Sequence, residues 1–169
     1  HPDIGKVIDI SADINKKLGI EDSKAKVMPS NGYGDAAKIR KLIEEEKPDA
    51  IFIFTDPRYW IWLFEIEREV RSKIPIFWLN IWDDYPAPMY NKDYYNSVDL
   101  LMAISKQTKN INEIVLGEDA KNKIIEYVPH GIDEKMFYPI RTSDNKSLFS
   151  KLDEFKTNLF NGKDIEFVV

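Results

Sequence analysis

Runs of apolar residues alternate with amphipathic stretches along most of this chain. Residues 50–54 (AIFIF) are uninterruptedly apolar, the pattern of a strand buried on both faces. Residues 74–79, 100–104 and 124–128 repeat the pattern. Helical spacings lie between them. Ile39, Leu42 and Ile43 recur at helical intervals behind Asp35, a side chain suited to cap a helix, and Pro48 stops it. Asp56-Pro57 has the form of an N-cap and a first helical residue, with Tyr59, Leu63, Ile66 and Val70 on one face of the helix they open. Residues 83–96 read as a loop and a short helix. Ser105 caps a helix with Ile111, Ile114 and Val115 inward and Gly117 as its stop. This alternation predicts an α/β fold with a mostly parallel sheet and helices on both faces, a Rossmann-like three-layer sandwich.

The two ends are patterned differently. Ile4, Val7, Ile8, Ile14 and Leu18 suit a helix better than a strand, because Val7 and Ile8 are adjacent. Residues 25–28 form a short apolar strand before the turn cluster Pro29-Ser30-Asn31-Gly32. Near the other end, Leu148, Leu152, Phe155 and Leu159 mark an amphipathic helix closed by Gly162, and residues 165–169 (IEFVV) read as a strand. Residues 141–146 (RTSDNK) are the best linker candidate. The chain starts at His1-Pro2 without a methionine and stops inside an apolar strand, whose backbone groups need neighbours. The expectation is a piece of a longer protein.

Composition narrows the partners. With 169 residues the chain can bury a core of its own, and 43% apolar against 31% charged residues is the balance of a globular domain. No apolar run is long enough to span a membrane. Cysteine is absent, which excludes disulfides and thiolate metal sites and fits a cytoplasmic location. The net charge is −5 with no Lys/Arg stripe, which argues against nucleic acid as a partner. Aromatic residues make up 12% and crowd between residues 52 and 95, where ring faces beside polar groups suit sugars or nucleotides as well as a core.

Ligands of open parallel sheets bind beyond the carboxyl ends of the strands. The unusual residues of this chain collect at five such ends. Gly32-Tyr33-Gly34 either lets backbone amides approach a phosphate or sugar or makes a simple turn and cap. Asp56 is a cap first, and Arg58 beside it is free to reach a ligand or an acidic neighbour. Trp82, Asp83 and Asp84 put an aromatic face next to two carboxylates, able to activate a hydroxyl or bind sugar hydroxyls, or simply to shape a solvated loop. They lack the spacing of an Asp-x-Asp metal site, and no histidine is near, so no metal is expected. Ser105 shows no nucleophile elbow. His130 and Gly131 sit in a Pro-His-Gly turn after the strand at residues 124–128, where His130 bonds a phosphate, a domain-closing partner or its own backbone.

These segments resemble a family. The stretch VPHGID at residues 128–133, with Phe137 and Pro139 after it, looks like the close of the N-terminal domain of group 1 (family 4) GT-B glycosyltransferases. The stretches IPIFWLNIWDDYP, VDLLMAISKQTKNI and EEEKPDAIFIFTD are similar in order and spacing to that family's preceding segments. The likeness covers residues 26–169 and implies the N-terminal half of a GT-B fold. It implies an acceptor-side domain over residues 1–140, a linker and helix over 141–163, and the start of a missing nucleotide-sugar domain at 164–169. It further implies a retaining, metal-independent transferase that needs no cofactor, the nucleotide-sugar being a co-substrate. Asp83 and Asp84, from their own chemistry, are the catalytic candidates. Tyr33, Gly34, Asp56, Arg58, Trp82, His130 and Gly131 are the substrate-binding candidates, with His130 closer to a hinge than to a base. Many members carry a histidine in the loop that here reads NIWDDYP, with Asn80, Asp83 and Asp84, which leaves the acceptor open. The alternatives are a response-regulator-like domain with a phosphorylated aspartate, although Asp83-Asp84 follows Asp56 where that family's acidic pair precedes, and a non-catalytic sugar-binding module.

Overall fold

Two short strands, β1 (Ile8–Asp9) and β2 (Lys26–Val27), open the chain and pair antiparallel, with helix α1 (Ser11–Leu18) between them. The expected helix through Val7 and Ile8 is therefore corrected: Ile8 pairs with Val27, and α1 starts only where the Asp9 carboxylate accepts the Ser11 amide at 2.8 Å. In the computed structural model, which describes residues 2–139 and 145–163, this ribbon is separate from the main sheet. The strand at Val27 is thus not part of the parallel sheet that the alternation predicts.

The sheet proper has four strands: β3 (Ile51–Phe54), β4 (Ile76–Asn80), β5 (Leu100–Ala103) and β6 (Ile124–Tyr127). All pairings are parallel, in the order β3-β4-β5-β6. Helices flank it, so the chain is α/β and Rossmann-like. Asp35 caps α2 (Ala36–Glu46) through the Lys38 amide at 2.8 Å. The segment after Asp56 is a 3-10 turn (Pro57–Trp60) followed by two short helices, α3 (Ile61–Glu65) and α4 (Glu67–Arg71), rather than one helix, and Tyr59 lies at the surface. Helix α5 (Lys92–Asn96) comes after the long loop that leaves β4. Helix α6 (Lys106–Leu116) starts at Ser105, whose hydroxyl accepts the Thr108 amide at 2.9 Å, and ends at Gly117 with φ 59°. Ile114, expected inward on α6, is exposed, because its neighbours Ile111 and Val115 already face the sheet.

One face of the sheet carries Ile53, Trp78, Leu101 and Ile125 in register, and they join one core with Leu63, Phe64, Val70, Tyr95, Ile111, Val115 and Leu116. Helices α3 to α6 all contribute to that core. The opposite face carries Phe52, Phe54 and Ile124, which are exposed, and Leu79 and Met102, which are buried. The reading of residues 50–54 as a strand buried on both faces is corrected accordingly, since β3 is an edge strand whose alternate side chains reach solvent. At the amino ends of the strands, Asp99 accepts the Ile76 amide at 2.8 Å and an Arg71 guanidinium at 2.9 Å, and Lys123 bonds the carbonyls of Asn96 and Val98.

The chain divides into two compact units, residues 1–129 and residues 130–169. In the second, the Asp133 carbonyl accepts the amides of Met136 and Phe137, making a turn. Helix α7 (Lys146–Leu159) is capped by Asn145 through the Leu148 amide at 3.0 Å, and Gly162 at φ 73° lies just past its end. The predicted strand at 165–169 and most of the RTSDNK segment lie outside the described residues.

Candidate functional site at the carboxyl rim of the sheet

Parallel pairing puts the carboxyl ends of β3 to β6 on one edge. Thr55 leaves β3 at φ 110°, a conformation rare for a β-branched residue. Its carbonyl accepts the Trp78 indole N–H at 3.0 Å, so the core tryptophan of β4 holds the end of β3. Asp56 then caps the 3-10 turn through the Arg58 amide at 2.9 Å and binds the Arg58 guanidinium through both oxygens, at 2.6 Å for the closest pair. Arg58 lowers the Asp56 carboxyl below its ordinary range, and Asp56 in turn raises Arg58. Of the two options open to Arg58 in sequence, the acidic neighbour is the one taken.

After β4 the rim rests on buried polar groups. The Asn80 amide donates to the Tyr95 hydroxyl at 2.9 Å and to the Asn112 side-chain oxygen at 2.6 Å, and its own oxygen accepts the Trp82 amide at 3.2 Å. Burial pushes the Tyr95 phenol up, against hydrogen bonds from Asn91 and Asn80. This cluster, drawn from β4, α5 and α6, fixes where the 82–86 loop leaves the sheet. The Trp82 indole N–H donates to the Asp84 carbonyl at 2.8 Å, and the Asp84 carboxylate accepts the Tyr85 amide at 2.8 Å. Gln107 holds the Asp83 carbonyl at 2.8 Å, and Asn110 holds the Tyr85 hydroxyl at 3.0 Å. Asp84 is thus partly engaged in the turn. The exposed Asp83 carboxylate has no partner among the described residues.

Several of the sequence candidates meet here. Trp82 packs edge-on to Tyr90, with centroids 6.1 Å apart. Asp56, Arg58, Trp82, Asp83 and Asp84 therefore share the edge above β3 and β4. Tyr33 and Gly34 join it from outside the sheet: Tyr33 stacks on Tyr59 at 4.2 Å, and Gly34 lies against the Trp62 ring. So the SNGYGD loop reaches the rim through ring stacking, not as the end of a sheet strand. His130 and Gly131 fall in the second unit and are exposed. Tyr90, Tyr95 and Asn112 carry no local sequence signal of a site, and Asn80 marks only its loop. An asparagine closing an apolar strand was the available signal, since a buried amide there needs partners.

The rim offers carboxylates, a paired guanidinium and ring faces, a set suited to a polyhydroxylated ligand. Among the described residues no cluster of acidic or histidine side chains could hold a metal ion, and no helix is long and apolar enough to cross a membrane. No protein-family model matches this chain, and no curated protein matches it.

Proposed function

We propose that this chain is the acceptor-binding domain of a GT-B-type glycosyltransferase, retaining and metal-independent, in which a second domain holds the nucleotide-sugar. The observation that carries this reading is the joint placement of Trp82, Tyr90, Asp83, Asp84 and the Asp56–Arg58 pair beyond the carboxyl ends of two parallel strands. Ring faces pack against the apolar side of a sugar, and carboxylates accept its hydroxyl hydrogens. In this reading Asp83 binds or activates the acceptor hydroxyl, Asp84 shapes the loop, and Arg58 stays paired until a ligand competes for Asp56. The VPHGID motif supports it by likeness alone. The receiver-like alternative is disfavoured by Asp56, whose two oxygens are already engaged by Arg58.

The test is a titration followed through the Trp82 indole and the backbone amides of residues 82–90. A panel of oligosaccharides is expected to move them saturably, while UDP-glucose at the same concentration leaves them in place. Asp83→Asn is expected to weaken oligosaccharide binding about 3- to 10-fold, because Asn keeps an acceptor oxygen and only the charge assistance, about 1 kcal/mol, is lost. Equal response to UDP-glucose, or no response to any sugar, overturns the assignment. These 169 residues are also expected to show no sugar transfer by themselves, and measured turnover would sink the half-cleft reading.

A further inference from the structure

Helix α6 holds the segment 80–85 at three points, each time with an amide side chain. The helix itself is seated by Thr108, Ile111, Val115 and Leu116, all buried, and capped by the Ser105 hydroxyl. From its buried side, the Asn112 oxygen accepts the Asn80 amide at 2.6 Å. From its exposed side, Gln107 Nε2 donates to the Asp83 carbonyl at 2.8 Å, and Asn110 Nδ2 donates to the Tyr85 hydroxyl at 3.0 Å. Gln107 and Asn110 stand three residues apart, so they share one face of the helix. Both are exposed, and α6 has its apolar seat and its cap without them. What they contribute is their bonds to the loop.

We infer that Gln107 and Asn110 are positioning residues of the acceptor loop: they fix its backbone at Asp83 and its ring at Tyr85, and so set where the Asp83 carboxylate and the Trp82 ring stand. The inference rests on the acceptor-side reading of the rim. The loop's internal bonds, from the Trp82 indole to the Asp84 carbonyl and from the Tyr85 amide to the Asp84 carboxylate, shape it without tying it to a neighbouring element. Asn80 anchors only its root, through the Trp82 amide. The two bonds from the exposed side of α6 reach 24 and 25 residues along the chain and hold the outer part. A hydrogen bond to a sugar hydroxyl depends on distance and angle, so a carboxylate on a loop that must first be ordered binds more weakly. The two tethers differ in what they require. A main-chain carbonyl only accepts, so position 107 must donate. A tyrosine hydroxyl donates or accepts, so at position 110 an acceptor serves as well as a donor.

That asymmetry supplies the test, read from the backbone amides of residues 82–86 and the Trp82 indole N–H, first without ligand and then with the oligosaccharide panel. Gln107→Ala and Gln107→Glu both remove the donor. Each is expected to move the loop resonances and to weaken oligosaccharide binding about 3- to 10-fold. Asn110→Ala is expected to move them less and to weaken binding about 2- to 5-fold. Asn110→Asp is expected to restore the Trp82 indole shift and the wild-type affinity, because the Tyr85 hydroxyl then donates to the carboxylate. Gln107→Glu and Asn110→Asp each add one negative charge beside the same loop, so charge alone predicts equal effects. Thermal midpoints should stay close to wild type, as both side chains are exposed. An unmoved loop in Gln107→Glu, no rescue by Asn110→Asp, or a large fall in midpoint overturns the inference. If the wild-type chain binds no oligosaccharide, the acceptor reading falls separately, and the ligand-free spectra still decide the tethers by the same two comparisons.

Discussion

On one face of the sheet Ile53, Trp78 and Leu101 are 2%, 0% and 0% exposed, while one residue away on the other face Phe52 and Ile124 are 58% and 61% exposed. Both sets are large and apolar, so hydrophobicity does not separate them. Place in the sheet does. The strand order runs β3-β4-β5-β6, and crossovers of a single hand place the connecting helices on the first face. On the second face the inner strands are covered too, at Leu79 and Met102, and it is the edge strands β3 and β6 that present Phe52 and Ile124 to solvent. The sealed face is also the one that ends in the Asn80–Tyr95–Asn112 network, so the rim chemistry is anchored where packing is tightest.

The contrast can be broken hardest from the sealed side. Trp78→Ala removes the largest core side chain and the indole that holds the Thr55 carbonyl, and is expected to cost about 3–5 kcal/mol in urea unfolding. A loss below about 1 kcal/mol would mean the face is not sealed. Next comes Asn80→Leu, which leaves the Tyr95 hydroxyl and the Asn112 oxygen without their donor and is expected to cost about 1–3 kcal/mol. Its second readout is the Trp82 indole resonance, which should move as the loop loses its anchor, whereas a purely local cavity would leave it in place. At the exposed edge, Phe52→Ser is expected to change stability by no more than about 1 kcal/mol while lowering the binding of an apolar dye. A loss as large as that of Trp78→Ala would show that Phe52 is covered after all.

The smallest effect concerns pH. Burial works to raise the Asp99 carboxyl, but its bonds to Arg71 and to the Ile76 amide outweigh that and leave it below the ordinary aspartate value of 3.8. A carboxyl depressed by folding adds stability that is complete above that value and is lost as pH falls through the folded-state one. Asp99→Asn should therefore lower stability at neutral pH and flatten its decline in acid, measured as unfolding midpoints from pH 6 downward. An unchanged acid limb would assign the decline to other carboxyls.

The caps were the most legible features. Asp35, Asp56 and Ser105 each bond the amide predicted from their position, because capping depends on a few consecutive residues and little else. The strands were legible too, since an apolar run bounded by turns needs no tertiary information to be recognised. Their exposure was not, and AIFIF shows why: a run with no polar partner residues carries no record of which alternate positions meet a neighbour. The rim was half legible. Asp83, Asp84 and Trp82 stand out in sequence as a polar-aromatic loop, but the Tyr95 and Asn112 partners of Asn80 lie 15 and 32 residues away. Tyr33 reads in sequence as part of a glycine turn, and only stacking on Tyr59 brings it to the rim.

By itself, the order of residues determined where helices and strands start and stop, and that they alternate as an α/β protein, because those are local matters of spacing, capping and turn chemistry. Only the tertiary structure decided that β2 pairs with β1 instead of joining the sheet, and that the second sheet face is covered over its inner strands and exposed at its edges. It alone left two indoles bonded and two without partners among the described residues. Each of these depends on which surface meets which, and the free energy of burial is fixed by such meetings between residues far apart in the chain.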